Sequence, residues 1–380
     1  MQIIPSFFIV QVLKAPLPLP YVEALESIEV ECSTDRASIL RLRFSLSRNW
    51  LGDWDLLMVD LFRPMLPVSV RLAFGSFVPE TLVNGYVRDI RLLNGDRPGQ
   101  ARLEVVALDA TATLMNHIEQ PMPYPNQPDN VVATQMFARY GIVATPATVW
   151  PVPPTRSMLD VQTTVRSPDI RYLKRAARLH GHELYLQPEP FSGIDVAHFH
   201  PPFTAFPTQG VLSADFGQAT NLSGFNVSYD ALRPTMALGV AVDPRTKAPI
   251  PAVAPIATEP PMGAEPALLR PLVPGVTRPV MRDAANPAEA IAQARSLANR
   301  TSRALKGSGT VDGLKYGRIL RAGLPVAIRG AGRQHSGNYY VTKVTHTIRR
   351  GGYSQGFEAW RNAVGLTGAE LFVDPMAVAS

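Results

Sequence analysis

From residue 22 to about 115 the chain alternates apolar and polar positions, the period-two pattern of strands with one face buried. "ESIEVEC" and "SILRLRFSL" flank the turn-forming "STDR" and predict a hairpin. "LPVSVRLAF", "TLVNGYVRDIRLL" and "ARLEVVALDA" follow, with Asn94 to Asp96 marking another turn. These strands predict a small antiparallel barrel or sandwich.

The period then changes to that of a helix. In "PDNVVATQMFARYGI", Asp129 is placed to cap, Ala133, Met136, Phe137 and Tyr140 share one face, and Gly141 supplies the stop. "SPDIRYLKRAARLHG" repeats the logic with Ser167 as N-cap, Pro168 at the first helical position, Ile170, Leu173, Ala177 and His180 on one stripe, and Gly181 at the end. "HELYLQP" is extended, so 116–205 reads as a small α/β domain. Strands resume with "NLSGFNVSYD" and "TMALGVAVD".

Ten prolines fall between Pro244 and Pro279, which predicts a long loop or extended arm rather than a helix or central strand. It leads into "NPAEAIAQARSLANRTSRALKG", where Asn286 caps, Pro287 opens the helix and Glu289 completes a capping-box-like pattern. That helix is alanine-rich, and a shallow apolar face predicts close packing. After Gly307 the chain alternates again through "LPVAIRG" and "SGNYYVTKVTHTIRRGGYSQGFEAWRN", then ends in a mostly apolar tail from Ala363. Two β-rich blocks of similar size around an α/β insert suggest an internal duplication.

Composition adds limits. The chain has 380 residues and 46% hydrophobic positions, enough for two or three cores. No run of eighteen apolar residues predicts a membrane span, and the start lacks the basic region and cleavage site of a secretory signal. A single cysteine, Cys32, excludes an internal disulfide framework and fits a chain made and folded in the cytoplasm. Charge is uneven. Residues 1–280 hold 23 Lys+Arg against 25 Asp+Glu, whereas 281–361 hold 14 against 4, a local excess of +10. Such a patch can meet nucleic acid, an anionic membrane or an acidic protein surface, or it can be a solvated face.

Candidate chemistry is sparse. No nucleotide-binding lysine loop and no serine elbow occurs, and "GSGTVDG" and "GAGRQHSG" lack dinucleotide spacing. His182-Glu183 opens like a zinc-protease motif, but Leu186 stands where the second histidine is needed. If 182–200 is a hairpin turning near Pro190 to Gly193, His182, His198 and His200 can converge on a metal; no partnering carboxylate or thiolate is evident, and a surface hairpin has the same pattern. Arg171, Lys174, Arg175 and Arg178 mark one side of the preceding helix as a solvated, intersubunit or nucleic-acid-contacting face. In "VTKVTHTI", alternation puts His346 on a face with Val344 and Ile348. That favours a packed or hydrogen-bonded histidine over a catalytic one, since no acid, base or nucleophile is spaced to work with it. No catalytic, cofactor or metal residue is assigned.

The C-terminal segment also carries a resemblance. A glycine before "LPVAIRG" (Gly323 to Gly330), "SGNYYV" (Ser336 to Val341), Val344 to His346, Gly352-Tyr353 and the span Phe357 to Arg361 resemble the signature of the phage late-control D family, the baseplate hub proteins of contractile tails, shared with the hub portion of type VI secretion spike proteins. Three further segments agree in order: the paired strands with Gly85 and Asp109, the helix-then-strand "SPDIRYLKRAARLHGHELYL", which departs at Tyr172 and His182, and "NLSGFNVSYDALRPTMALGVAVDPRTK".

The resemblance implies a mainly β fold with an α+β insert. Its parts would be a first tube-like β-barrel at 1–115, an α/β insert at 116–205, first strands of a second barrel at 206–245, and a proline-rich arm at 246–285. A helix at 286–306, the rest of the second barrel at 307–362 and a tail at 363–380 would complete it. It implies a non-enzymatic homotrimer whose pseudo-sixfold ring joins a hexameric tail-tube protein to a trimeric central spike protein, beside other baseplate proteins. DNA or protein cargo would pass through the channel. The location implied is the baseplate of a virion or injection particle, assembled in the host cytoplasm. Because no needle domain or lysozyme-like segment follows Arg361, spike and wall digestion are expected from other proteins. The alternatives are a cell-wall-degrading tail enzyme using His346 or the histidine hairpin, and a hexameric tail-tube subunit.

Overall fold

The alternating run folds as strands β1 (Ser6–Val12), β2 (Leu25–Ser33), β3 (Ile39–Ser45), β4 (Pro67–Phe74), β5 (Glu80–Leu93) and β6 (Arg102–Leu108). The structure is a computed structural model describing residues 6–370 and 372, except 75–77, 96, 98, 120, 156–163, 166, 206, 244–245, 274, 282–283, 285 and 351. Alternation places Ile28 and Val30 of β2 and Leu40, Leu42 and Phe44 of β3 in one buried cluster with Val10, Val68, Val70 and Leu103. Each such side chain contributes about 1.5–3 kcal/mol by leaving water. Register shifts between Val70 and Arg71 and between Val87 and Asp89 bend the sheet so that it rolls around this core.

The insert holds α1 (Asp129–Arg139), α2 (Asp169–His180) and the hairpin β7 (Glu183–Pro188) and β8 (Asp195–His200), around a second core with Phe137, Leu173 and Phe199. Both helices start one residue away from the predicted caps. Pro128 and Pro168 occupy the N-cap positions without a side-chain bond, so Asp129 and Asp169 enter the first turn instead. Gly181 does end α2 in the left-handed conformation, and a Cβ there would sit 3.0–3.2 Å from Ser296. Glycine is thus required by both dihedral and space.

The next segment corrects two expectations. Of the strands expected to begin the second barrel, β9 (Val211–Ser213) and β10 (Leu222–Tyr229) join the main sheet, but β11 (Thr235–Val242) does not. It pairs with β12 (Pro249–Ala254), inside the stretch expected to be an arm, and with short parallel strands at Gly275–Thr277 and Val280–Met281. Helix α3 (Pro287–Ser302) lies on this small sheet, with Ala290, Ala294 and Ala298 packed against Ala237, Ala241, Ile250 and Ala252. Pro249 and Pro251 point outward on an edge strand, where a missing N–H is tolerated. The cap is as expected: Asn286 accepts the Glu289 N–H at 2.9 Å.

The second β unit adds β13 (Leu305–Asp312), β14 (Pro325–Arg329), β15 (Gly337–Arg349) and β16 (Gly352–Arg361). Its core gathers Leu222, Val311, Val326, Tyr339, Val341, Val344 and Phe357. The two units share one sheet in the order β10-β13-β16-β15-β2-β3-β6-β5-β4-β1, and β14 runs beside the first part of β15. The join is the antiparallel pair β2–β15, in which Ser27 to Ser33 meet Arg349 to Lys343. The fold is therefore mainly β with an α/β insert.

Candidate functional site at the joint of the two β units

In the β2–β15 ladder His346 stands opposite Val30, its side chain turned inward as alternation requires. Its Nδ1 is 2.8 Å from the Tyr353 hydroxyl, and the two rings stack with planes 9° apart. Burial, aided by the nearby Arg321 charge, pushes its pKa down to about 3. The imidazole is thus neutral and positioned to pack. Cys32, on β2, is pushed up to about 12 by burial, and its thiol faces the Leu82 carbonyl at 3.7 Å. No thiolate is available beside the histidine. Across the joint Arg321 pairs with Glu80 at 2.5 Å, a charge clasp between the two units.

The histidine hairpin turns at Glu189–Ile194, with Gly193 at φ +69°, as predicted. Register places Glu183 opposite His200, and Tyr185 opposite His198, so His182 lies one position before the pairing. His200 points one ring nitrogen at the Pro201 carbonyl (2.7 Å) and the other at His198 Nδ1 (3.1 Å). His182 instead packs edge-on against Phe199. Burial pushes His182 and His198 down to about 3 and lowers His200 as well. The three imidazoles form packing contacts rather than one ligand set, and no cluster of three metal-ligating side chains occurs among the described residues. Asp129, expected as a cap, accepts from the Tyr172 hydroxyl at 2.5 Å and lies 2.7 Å from His180 Nε2.

Sequence pattern missed the half-buried carboxyl at the centre of the joint. Glu183 begins β7, and its oxygens accept from Tyr340 (2.5 Å) on β15 and from Thr34 (3.1 Å) beyond β2. Burial, opposed by Arg303 and these bonds, pushes it up to about 7. Arg303 forks onto Glu259 and lies 4.5 Å over Trp360, which packs on Tyr340. The insert, both β units and the small α/β layer all meet here. The hint in the sequence was a glutamate at the head of a strand whose next three residues, Leu184, Tyr185 and Leu186, are apolar.

Part of the basic C-terminal block is structural. Arg361 is fully buried and donates to the carbonyls of Met262, Ser336 and Gly365 at 2.8, 2.7 and 2.5 Å. Arg329 bonds Ser213 and lies over Phe216, and Lys343 bridges Glu31 and Glu358. Arg349 and Arg350 stay exposed at the end of β15. Two parts of the resemblance signature meet at Arg361, which holds Ser336; Gly337 has φ +136°, and a Cβ on it would sit 2.6 Å from the guanidinium. Asp109 similarly ties a turn, accepting from the Ser38 N–H (2.6 Å) and from Thr111, although burial raises its pKa. Gly85 lets β5 lie against β6, where a Cβ would meet Ala107 at 3.2 Å.

Sequence comparison gives no match, either to a protein-family model or to a curated protein. Comparison of structures gives several. A tail protein from Neisseria meningitidis MC58 superposes with a TM-score of 0.65 at 14% identity, over 94% of this chain and 97% of that one. The 43 kDa tail protein of prophage MuSo2 from Shewanella oneidensis gives 0.65 at 12%, over 95% and 100%. The fold is that of a phage tail protein. An Escherichia coli component of the type VI secretion system, described as structurally similar to the T4 bacteriophage tail proteins gp27 and gp5, also shares the tail-protein fold, with a TM-score of 0.54 at 12% identity over 93% of this chain and 76% of that one. At such identities the likeness is one of architecture.

Proposed function

We propose that the protein is a structural baseplate hub of a contractile phage tail or related injection particle, working by assembly rather than turnover. Three copies would form a pseudo-sixfold ring joining a hexameric tail tube to a trimeric spike, with other baseplate proteins around it. The observation that carries this reading is the continuous sheet through β2–β15, which joins two β units in one chain and so supports reading them as two successive tube-like units. Three such chains present six units, the number a sixfold tube requires. The chemistry of the joint supports a structural role: His346 is neutral, Cys32 is held as a thiol, and the charged side chains are spent on tying parts together. Light scattering tests it directly. Purified protein should have three times the mass of the chain, or reach three copies plus the partner's mass once tube or spike protein is added; a species that stays monomeric with both overturns the hub reading.

A further inference from the structure

Where α2 crosses α3, Ser296 bonds the Arg178 carbonyl at 3.0 Å and the two helices bring their basic residues to one cleft. Lys174 and Arg178, four residues apart and so on one face of α2, line it with Arg300 and Arg303 from the end of α3. Thr34, Asp35, Glu183 and Arg303 continue into a wider cleft that adds Arg233, Lys306 and Glu358. Six cations thus face three carboxylates. Arg303 is neutralised by Glu259 behind it, and Glu358 by Lys343. Glu183 is half-neutral near pH 7. Among the described residues no ion pair involves Lys174, Arg178, Arg300, Arg233 or Lys306. The C-terminal ends of α2 and α3 each supply about half a negative charge, too little to balance five cations that face Asp35. Arg300 is exposed as a residue but its guanidinium is partly covered: its pKa is lowered first by that burial and then by the like charges of Arg303 and Arg178.

We propose that this cleft is an oxyanion-binding site, in which a phosphate or carboxylate group of a ligand is held by Lys174, Arg178 and Arg300. Guanidinium forks match the geometry of either group, and a bound anion relieves the repulsion among the three. The site does not depend on the hub assignment, because it rests on the helix crossing alone.

The test is titration calorimetry of the full chain with pyrophosphate at constant ionic strength. Saturable binding is expected, weakened about tenfold or more by Arg178→Ala or Arg300→Ala, since each removes a charge-assisted bond. Arg63→Ala takes the same charge from an exposed position in the first unit and should leave binding unchanged. Both cleft arginines are exposed, and thermal melts check their variants; if either melts early, Lys174→Gln carries the same comparison. Parallel titrations with pyrophosphate and with hexaglutamate at the same ionic strength separate the two sources: the group is assigned to whichever anion binds the tighter and loses more affinity in Arg178→Ala and Arg300→Ala. No saturable heat, or an equal loss in Arg63→Ala, overturns the proposal.

Discussion

At Arg361 one side chain, 0% exposed, closes the second unit by bonding three backbone carbonyls, those of Met262 and Ser336 in buried bonds and that of Gly365 in a part-buried one. Arg361→Met keeps much of the volume but strands those acceptors, each at a cost of about 1–3 kcal/mol. Urea unfolding should show a loss of at least about 3 kcal/mol, and a change under about 1 kcal/mol would contradict this role. The buried titratable groups set a pH profile. His182, His198 and His346 sit near 3 in the fold against 6.5 unfolded, so the stability they confer is present above pH 6.5 and lost as pH falls toward 3. Glu183 works the other way: its pKa is about 7 in the fold against 4.5 unfolded, so its share is present below 4.5 and lost as pH rises through 7. With three histidines losing stability below pH 6.5 against one glutamate losing it above 4.5, melting temperature should rise with pH and level off above about 7. In Glu183→Gln the rise between about pH 5 and 7 should be steeper, and an unchanged slope would show that another group opposes the histidines.

Among the elements, strands with one wet face were legible and layers with two partners were not. Alternation exposed β2, β3, β5 and β15 because every second residue meets water, and the inward position of His346 followed from the same count. The α3 cap and its alanine face were equally readable. β12 was hidden because proline content outweighed the pattern. In Pro249–Ala254 the inward set Ile250, Ala252 and Ala254 alternates cleanly once the prolines are seen to face outward. The convergence of Glu183, Tyr340, Thr34 and Arg303 could not be read from one sequence, since its members are brought together only by tertiary packing. The shallow α3 contact makes a further prediction. Ala294, fully buried against β11 and β12, has no room for a larger side chain. Ala294→Leu should cost about 1–3 kcal/mol. Hydrogen exchange should show faster opening confined to 235–254 and 287–302, and uniform loss of protection would mean that this layer is not a separate unit.

For the whole molecule, the shared sheet makes each β unit the cover for the other's edge. Expressed alone, residues 1–205 would leave β2 without its β15 partner, and an uncovered strand is a template for association. That fragment should be recovered mainly in aggregates while the full chain stays soluble; a soluble, cooperatively melting fragment would show that the ladder is dispensable. The same ladder orders events in time. β2 is made well before β15, so a late strand completes a sheet whose other strands are already made. Until then the growing chain keeps an adhesive edge, which exposes it to chaperones and proteases. A chain terminated early never hides that edge, so the geometry of one strand pair distinguishes finished from unfinished copies before any particle is built.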